Sequence, residues 1–177
     1  ALVAPDGATV VHDYSPAFPV QFDDASYGLE QLGDTREETL VGEDDACEVL
    51  VPTNGNLGTS WTQAGFNDAF WTSGTLGVGY ERSSGYQNFI NVDVESQMYG
   101  SRTSVYVRIP FTLANASEIS ALRLEMQFDD GFVAYLNGTR VEGANDPAAP
   151  AYNSPSTGEN LDADAVNFES FSLNAHV

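Results

Sequence analysis

The sequence contains no lysine, two histidines and a single cysteine. Its six positive charges are all arginines, against 26 Asp and Glu residues, and the formal net charge is −20. Nucleic-acid binding requires a basic face that this composition does not supply, and an anionic membrane surface is disfavoured for the same reason. Because Cys47 is alone, no internal disulfide can form, and we expect Cys47 to be a small buried apolar residue.

Long apolar runs are also missing. No stretch approaches the roughly 20 apolar residues that span a bilayer, so the sequence predicts no membrane insertion. The chain starts without Met or a charged-then-apolar leader, and the opening "ALVAP" is compatible with a position just after signal cleavage. The excess of acidic residues suits salty water, where screening relieves self-repulsion. We therefore expect an exported protein.

Apolar and polar residues alternate with the period of a β-strand in several segments. In residues 104–111, Val105, Val107 and Ile109 share one face, opposite Tyr106 and Arg108. This period predicts a half-buried strand.

Three further segments carry the same signal. Residues 121–128 and 166–173 alternate in this way, and residues 132–136 form an apolar run that ends at Asn137-Gly138. Asn-Gly between two such runs is a strong hairpin signal. No window repeats apolar residues at helical spacing over ten or more residues.

Many short strands separated by Gly, Pro, Asn and Ser predict an all-β fold, either a β-sandwich or a jelly roll. Residues 1–45 form a poorly regular N-terminal extension with strand signals in "ATVVHDY" and "PVQF", and residues 46–177 form the sandwich. Residues 140–165 are polar and contain prolines; so long a connection predicts a functional, covering or mobile surface loop.

Four phrases follow one another between residues 61 and 138. After Trp61 come "FNDAFWTSG" (66–74), "GVGY" (77–80), "YVRIPF" (106–111) and "DDGFVAYLNG" (129–138). In this order they resemble a β-sandwich domain that recurs in very large secreted bacterial proteins, often beside lamin-tail-like or spore-coat-kinase-like domains. That domain belongs to the galactose-binding-like jelly-roll group, and the resemblance covers about residues 46 to 173.

The resemblance implies a non-catalytic accessory or adhesion module that binds carbohydrate, frequently with a structural Ca²⁺. Asn67 stands where the family more often has Asp, which puts a cation role of that turn in doubt. Such domains also continue into a further strand, whereas this chain stops at Val177. We therefore expect an open sheet edge that the N-terminal extension or another protein chain covers.

Asp129 and Asp130 are the candidate metal ligands. Adjacent carboxylates with nearby carbonyl and Asn oxygens suit the shell of six to eight oxygens around Ca²⁺. The alternative is a plain turn in which an Asp accepts backbone N–H groups and Gly131 takes a positive φ.

The candidate ligand-binding residues combine aromatic and polar side chains. Aromatic rings bind the C–H faces of sugars, and a guanidinium can hold a carboxylate bidentately. The alternatives are core packing for the two tryptophans and a local ion pair for the arginine. The candidates are Trp61, Trp71, Tyr86, Arg108 and Asn137.

Catalysis finds no support in the sequence. His12 and His176 lie near the two ends, and neither has the spacing of a zinc site or a catalytic triad. Taken with the resemblance, the sequence implies a secreted, non-enzymatic module for a glycan or cell-surface polysaccharide, assisted by Ca²⁺. The alternative is a structural subunit of an extracellular assembly whose open sheet edge pairs with another chain.

Overall fold

The computed structural model describes residues 2–3, 5, 8–12 and 36–176. Contacts divide the chain into two compact units, Ala1–Glu38 and Thr39–Val177. In the first unit, strand β1 (Leu2–Val3) pairs antiparallel with β2 (Val10–His12). The strand expected in "ATVVHDY" therefore coincides with β2, and the strand expected in "PVQF" lies outside the described residues.

The second unit is β-rich, as expected, with only short helices among its described residues. Its strands are β3 (Ala46–Leu50), β4 (Thr72–Thr75), β5 (Val78–Gly79), β6 (Val92–Asp93), β7 (Tyr106–Arg108), β8 (Arg123–Met126), β9 (Phe132–Leu136), β10 (Thr139–Ala144) and β11 (Glu169–Ser172). Its helices are α1 (Glu95–Met98) and α2 (Asp162–Ala165), with 3-10 turns at Ser60–Thr62, Gln87–Phe89, Ala116–Glu118 and Asn174–His176.

The core lies on one face of the three-stranded antiparallel sheet β4-β3-β7. Cys47 and Val49 alternate along β3 and are 2% and 3% exposed, and Val94 beside α1 is 1% exposed. The inward face predicted for Val105, Val107 and Ile109 packs against this cluster. The buried position expected for Cys47 is confirmed, and burial, followed by the neighbouring Glu48 carboxylate, raises the pKa of its thiol.

The predicted hairpin at Asn137-Gly138 is confirmed. Leu136 at the end of β9 pairs with Thr139 at the start of β10. Asn137 has φ 49° and Gly138 has φ 89°, the pair of positive angles that the two-residue turn matching strand twist requires.

The strand predicted in residues 121–128 is confirmed as the shorter β8, and that predicted in 166–173 as β11, which pairs antiparallel with β8. Phe132 meets Phe128 and Phe171 edge-on beside this pair, with centroid separations of 4.9 and 5.2 Å, and Phe128 and Phe171 are tilted at 6.3 Å. The strand predicted in 104–111 is also shorter, spanning Tyr106–Arg108, and Pro110, which follows it, has no N–H for a ladder bond.

The polar connection after β10 lies against other parts of the second unit. Thr103 Oγ1 donates to the Asn153 carbonyl at 2.6 Å, and Ser104 Oγ donates to the Ser154 carbonyl at 2.9 Å. The Asn145 carbonyl accepts from Thr157 N at 2.6 Å, so the loop is also bonded internally. No helix in the described part of the chain has the length and apolar character needed to cross a membrane.

Candidate functional site

Arg108, on the face of β7 opposite the core, fixes the loop that follows the Ser60–Thr62 turn. Its Nε donates to Asp68 Oδ2 at 2.7 Å. Its terminal nitrogen donates to the carbonyls of Trp61 and Gln63, the latter at 3.1 Å. The Cζ atom also lies 5.3 Å from the centre of the Phe66 ring. A guanidinium that neutralises one carboxylate and caps two carbonyls holds residues 61–68 in a single conformation.

The aromatic residues around Arg108 form a second, smaller packed cluster. Trp61 stacks on Tyr106, with centroids 4.1 Å apart and planes 10° apart, and Tyr135 meets Trp61 edge-on at 6.0 Å. Trp71 lies 6.2 Å from Trp61 and 5.7 Å from Phe66. Burial, and then the neighbouring Tyr135, raises the pKa of Tyr106. We call Trp61, Phe66, Asp68, Trp71, Tyr106, Arg108 and Tyr135 the arginine cluster.

This arrangement bears directly on three sequence-predicted ligand residues. The structure brings Trp61, Trp71 and Arg108 together, but one face of Trp61 is occupied by Tyr106. Arg108 is engaged by Asp68. Their geometry matches the packing and ion-pair alternatives, and neither Arg108 nor the stacked face of Trp61 is available to a sugar in this conformation.

One aromatic ring of the same loop points fully into solvent. Phe70 is 93% exposed, although its neighbour Trp71 is packed. The turn that places it is closed by Trp71 N donating to the Asp68 carbonyl at 2.8 Å and by Ala69 N donating to Asn67 Oδ1 at 3.2 Å. We call residues 63–71 the Phe70 loop.

The Phe70 loop adjoins the β9–β10 turn. A Cβ added at Gly138 would lie 2.1 Å from Gln63 Nε2, so the Gln63 side chain covers this glycine. Asn137, the fourth predicted ligand residue, is exposed in the same turn. The Phe70 loop therefore carries an exposed aromatic ring, and exposed amide side chains lie at Gln63, Asn67 and Asn137.

Tyr86 belongs to a different cluster, in which negative charges gather. Its Oη is buried and has no partner at hydrogen-bond geometry among the residues that the structure describes. The pKa of Tyr86 is raised to about 12, first by burial, then by the carboxylates of Asp129 and Asp162, with a smaller effect from Glu81. Asp162 also acts on the hydroxyl as an acceptor, although the contact falls short of a regular hydrogen bond. We call Glu81, Tyr86, Asp129 and Asp162 the acidic cluster.

The carboxylates of the acidic cluster oppose one another. Partial burial raises the pKa of Asp129, and the negative charges of Asp130, Asp162 and Glu81 raise it further. Glu81 behaves differently, because Ser83 donates to it through its backbone N–H and its hydroxyl, and these bonds lower the pKa of Glu81. The folded state therefore disfavours the charged form of Asp129, whereas the hydrogen bonds from Ser83 favour the charged form of Glu81.

The Asp129-Asp130-Gly131 step is a tight turn, and the predicted positive φ at Gly131 is wrong. Asp130 takes that conformation instead, with φ 63°. Glycine is needed at 131 for space, because an added Cβ would lie 2.7 Å from the Ala144 carbonyl oxygen. The Asp130 carbonyl accepts from Asn145 Nδ2 at 2.7 Å. The turn is therefore determined by tertiary contact as well as by local preference.

Metal-ligand geometry is not preformed in the part of the chain that the structure describes. No three His, Cys, Asp or Glu side chains there come together closely enough to hold a metal ion. Asp129 lies in the acidic cluster, and Asp130 is exposed beside it.

Phe70, Glu81 and Asp162 were not among the candidate residues of the sequence analysis. Phe70 lies in an aromatic-rich segment whose pattern predicts packed side chains. Its exposure depends on the turn before Trp71. Glu81 and Asp162 are two of 26 acidic residues, and no local pattern distinguishes them. Asp162 begins the short helix α2, which places it beside a tyrosine 76 positions earlier in the chain.

Comparison with family models, curated proteins and solved structures finds no match to this chain.

Proposed function

We propose that the second unit is a secreted bacterial carbohydrate-binding module without catalytic activity, built as a galactose-binding-like jelly roll. The observation that carries the proposal is Phe70, a 93% exposed ring on a loop fixed by Arg108. An exposed apolar ring of this size costs hydration free energy unless something covers it. Sugar C–H faces fit such a ring, and hydroxyl groups fit the neighbouring amides.

Rigidity of the loop supports binding rather than mere exposure. A ring on a backbone that is already fixed loses less conformational freedom when a ligand covers it than a ring on a disordered loop does, so more of the contact free energy appears as affinity. The Trp61 and Trp71 side chains provide this support from beneath, together with the ion pair of Arg108 and Asp68. In this proposal, Phe70 and Asn137 contact the glycan, and Trp61, Trp71 and Arg108 position them.

The experiment compares Phe70→Ala with the unchanged chain on an array of immobilised glycans and by calorimetric titration of any glycan that binds. Loss of one central aromatic contact should weaken binding at least tenfold, or about 1.4 kcal/mol. Phe111→Ala is the matched control, since Phe111 is also an exposed phenylalanine, at 41%. Equal affinities of the two variants, or no binding by the unchanged chain to any glycan, would contradict the proposal.

Ca²⁺ has a place in the proposal at the acidic cluster. A divalent cation would relieve the repulsion that raises the pKa of Asp129 and would draw Asp129 and Asp162 toward a common oxygen shell. The thermal midpoint should then rise with Ca²⁺ and more than with an equal ionic strength of NaCl. The double variant Asp129→Asn, Asp162→Asn should abolish the difference between the two salts. A midpoint that responds equally to both salts in the unchanged chain would remove Ca²⁺ from the proposal.

A second candidate function is a structural subunit of an extracellular assembly. The observation that favours it is the small size of the sheets, since the described strands form sheets of only two or three members. The outer edges of such sheets carry backbone donors and acceptors that another chain can pair with. Light scattering over a range of protein concentrations tests this candidate, and a monomer at every concentration would count against it.

A further inference from the structure

All six cations of the chain lie in the described residues, and each has a partner within the protein. Five pair with carboxylates at distances between 2.7 and 3.9 Å: Arg36 with Glu38, Arg82 with Glu95, Arg108 with Asp68, Arg123 with Glu125, and Arg140 with Asp146. Arg102 donates to the Ser101 carbonyl at 2.9 Å. The remaining charge is a formal excess of 20 negative charges.

Arg108, the arginine that fixes the Phe70 loop, is the most fully engaged of the six. The Arg108 side chain is only 16% exposed, and its donors serve Asp68, the Trp61 carbonyl and the Gln63 carbonyl. A carboxylate or sulfate of an incoming glycan would have to displace Asp68 and leave it unpaired in a partly buried position, which is unfavourable. Arg108 is therefore closed to an acidic ligand.

Three exposed side chains of the Phe70 loop and the β9–β10 turn are uncharged amides, and Asp68, the one charged residue of the loop, is paired with Arg108. Gln63, Asn67 and Asn137 are exposed, and an amide both donates and accepts hydrogen bonds, as a sugar hydroxyl does. An aromatic ring with a rim of amides is complementary to a ligand that has an apolar face and hydroxyl groups but no charge.

We propose that the ligand of the Phe70 loop is an uncharged polysaccharide and that acidic polysaccharides are excluded from it. This inference rests on the proposed carbohydrate-binding function and names the class of glycan. Exclusion has two parts: a long-range repulsion from the net charge, which salt screens, and the lack of an available cation at the loop, which salt does not supply.

The experiment is affinity electrophoresis of the 177-residue chain through gels that contain one polysaccharide each. The neutral probes are mixed-linkage β-glucan, arabinoxylan and galactomannan, and the acidic probes are polygalacturonate and alginate. Pull-down on the same polymers immobilised on beads is carried out at about 0.01 M and about 1 M NaCl, where the Debye lengths are about 30 Å and about 3 Å. We expect at least one neutral polymer to bind at both salt concentrations and neither acidic polymer to bind at either.

A variant that adds a cation sharpens the result. Ala69 is exposed beside Phe70, and Ala69→Arg keeps the backbone N–H that Asn67 holds. This variant should gain measurable affinity for polygalacturonate, by about tenfold at low salt, and should still bind the neutral polymer. Ala114→Arg adds the same charge at an exposed position outside the Phe70 loop; it is the matched control and should behave as the unchanged chain.

The outcomes separate the inference from the function on which it rests. Stronger binding of the unchanged chain to an acidic polymer than to any neutral one would overturn the inference and leave carbohydrate binding intact. Binding of an acidic polymer at high salt would overturn the local part of the exclusion. Binding to no polymer at all would overturn both proposals.

Discussion

The arginine cluster and the acidic cluster each contain ionisable side chains from distant parts of the second unit. The first pairs opposite charges, whereas the second brings like charges close together. In the arginine cluster, Arg108 and Asp68 neutralise each other at 2.7 Å, and a terminal guanidinium nitrogen donates to two carbonyls. In the acidic cluster, Asp129 and Asp162 act on Tyr86, whose buried hydroxyl has no regular partner.

This difference indicates which cluster stabilises the folded state and which destabilises it. A partly buried ion pair with its hydrogen bonds satisfied is lost at high cost when one partner is removed. A group of like charges around an unsatisfied hydroxyl raises the free energy of the folded state. Substitution in the first cluster should therefore destabilise the protein, and conservative substitution in the second should stabilise it.

Removing the central cation should have the largest effect. Arg108→Met leaves Asp68 and two carbonyls without their donor, and we expect the free energy of unfolding to fall by about 3 kcal/mol. Urea denaturation followed by tryptophan fluorescence measures it. Arg36→Met is the control, because the Arg36–Glu38 pair is exposed at 82% and 63% of its side chains, and its loss should change stability by less than about 0.5 kcal/mol. Similar losses of stability in the two variants would show that the ion pair of the arginine cluster stabilises the fold no more than an exposed pair does.

Removing the unsatisfied hydroxyl should have a smaller effect of opposite sign. Tyr86→Phe deletes a buried polar group that has no regular partner, so we expect stabilisation of up to about 1 kcal/mol in the same urea experiment. Tyr99→Phe, at a tyrosine that is 55% exposed, should leave stability within about 0.5 kcal/mol of the unchanged chain. A loss of stability in Tyr86→Phe would mean that the hydroxyl makes a favourable bond.

Neutralising Asp129 should give the smallest effect, and it should depend on pH. The pKa of Asp129 is raised above its ordinary value of 3.8, so the folded state binds its proton more tightly than the unfolded state. The stability from this group is complete below pH 3.8 and is lost as pH rises through the folded pKa. Asp129→Asn should flatten that loss and stabilise the protein at neutral pH by less than about 1 kcal/mol, since exposed charges are screened.

Salt and a matched variant test the origin of the Asp129 effect. In about 1 M NaCl, where the Debye length is about 3 Å, the difference between Asp129→Asn and the unchanged chain should shrink. Asp44→Asn removes one negative charge from an exposed turn near the start of the second unit and should not reproduce the pH dependence. An Asp129→Asn variant that is less stable than the unchanged chain at neutral pH would show that this carboxylate supports the fold.

The parts of the fold that follow from local pattern were predictable. Alternation in residues 104–111 correctly assigned Val105, Val107 and Ile109 to the core face, because a strand exposes successive side chains to opposite sides. Asn137-Gly138 correctly marked a hairpin, because few residue pairs accept two positive φ angles. Strand ends were less predictable, since they depend on where ladder partners stop rather than on the residues themselves.

The candidate site was predictable only in part. Trp61, Trp71 and Arg108 were three of the five predicted ligand-binding residues, and these three do lie together. The role of Arg108 depends on Asp68, which lies 40 positions away in the chain, and on two carbonyls that no pattern of side chains reveals. The positive φ fell on Asp130 rather than Gly131, and glycine is needed at 131 for another reason, because the Ala144 carbonyl oxygen occupies the space where a Cβ would lie.

By itself, the sequence determined the β-rich class, the buried position of Cys47, the turn at Asn137-Gly138 and a formal net charge of −20. Each of these depends on residue type or on period along the chain, which are local properties. Only the tertiary structure decided that Phe70 is exposed while Trp61 and Trp71 pack, and that Asp129 and Asp162 meet around Tyr86. These arrangements join residues that are far apart in sequence, so their free energies arise only when the strands have assembled.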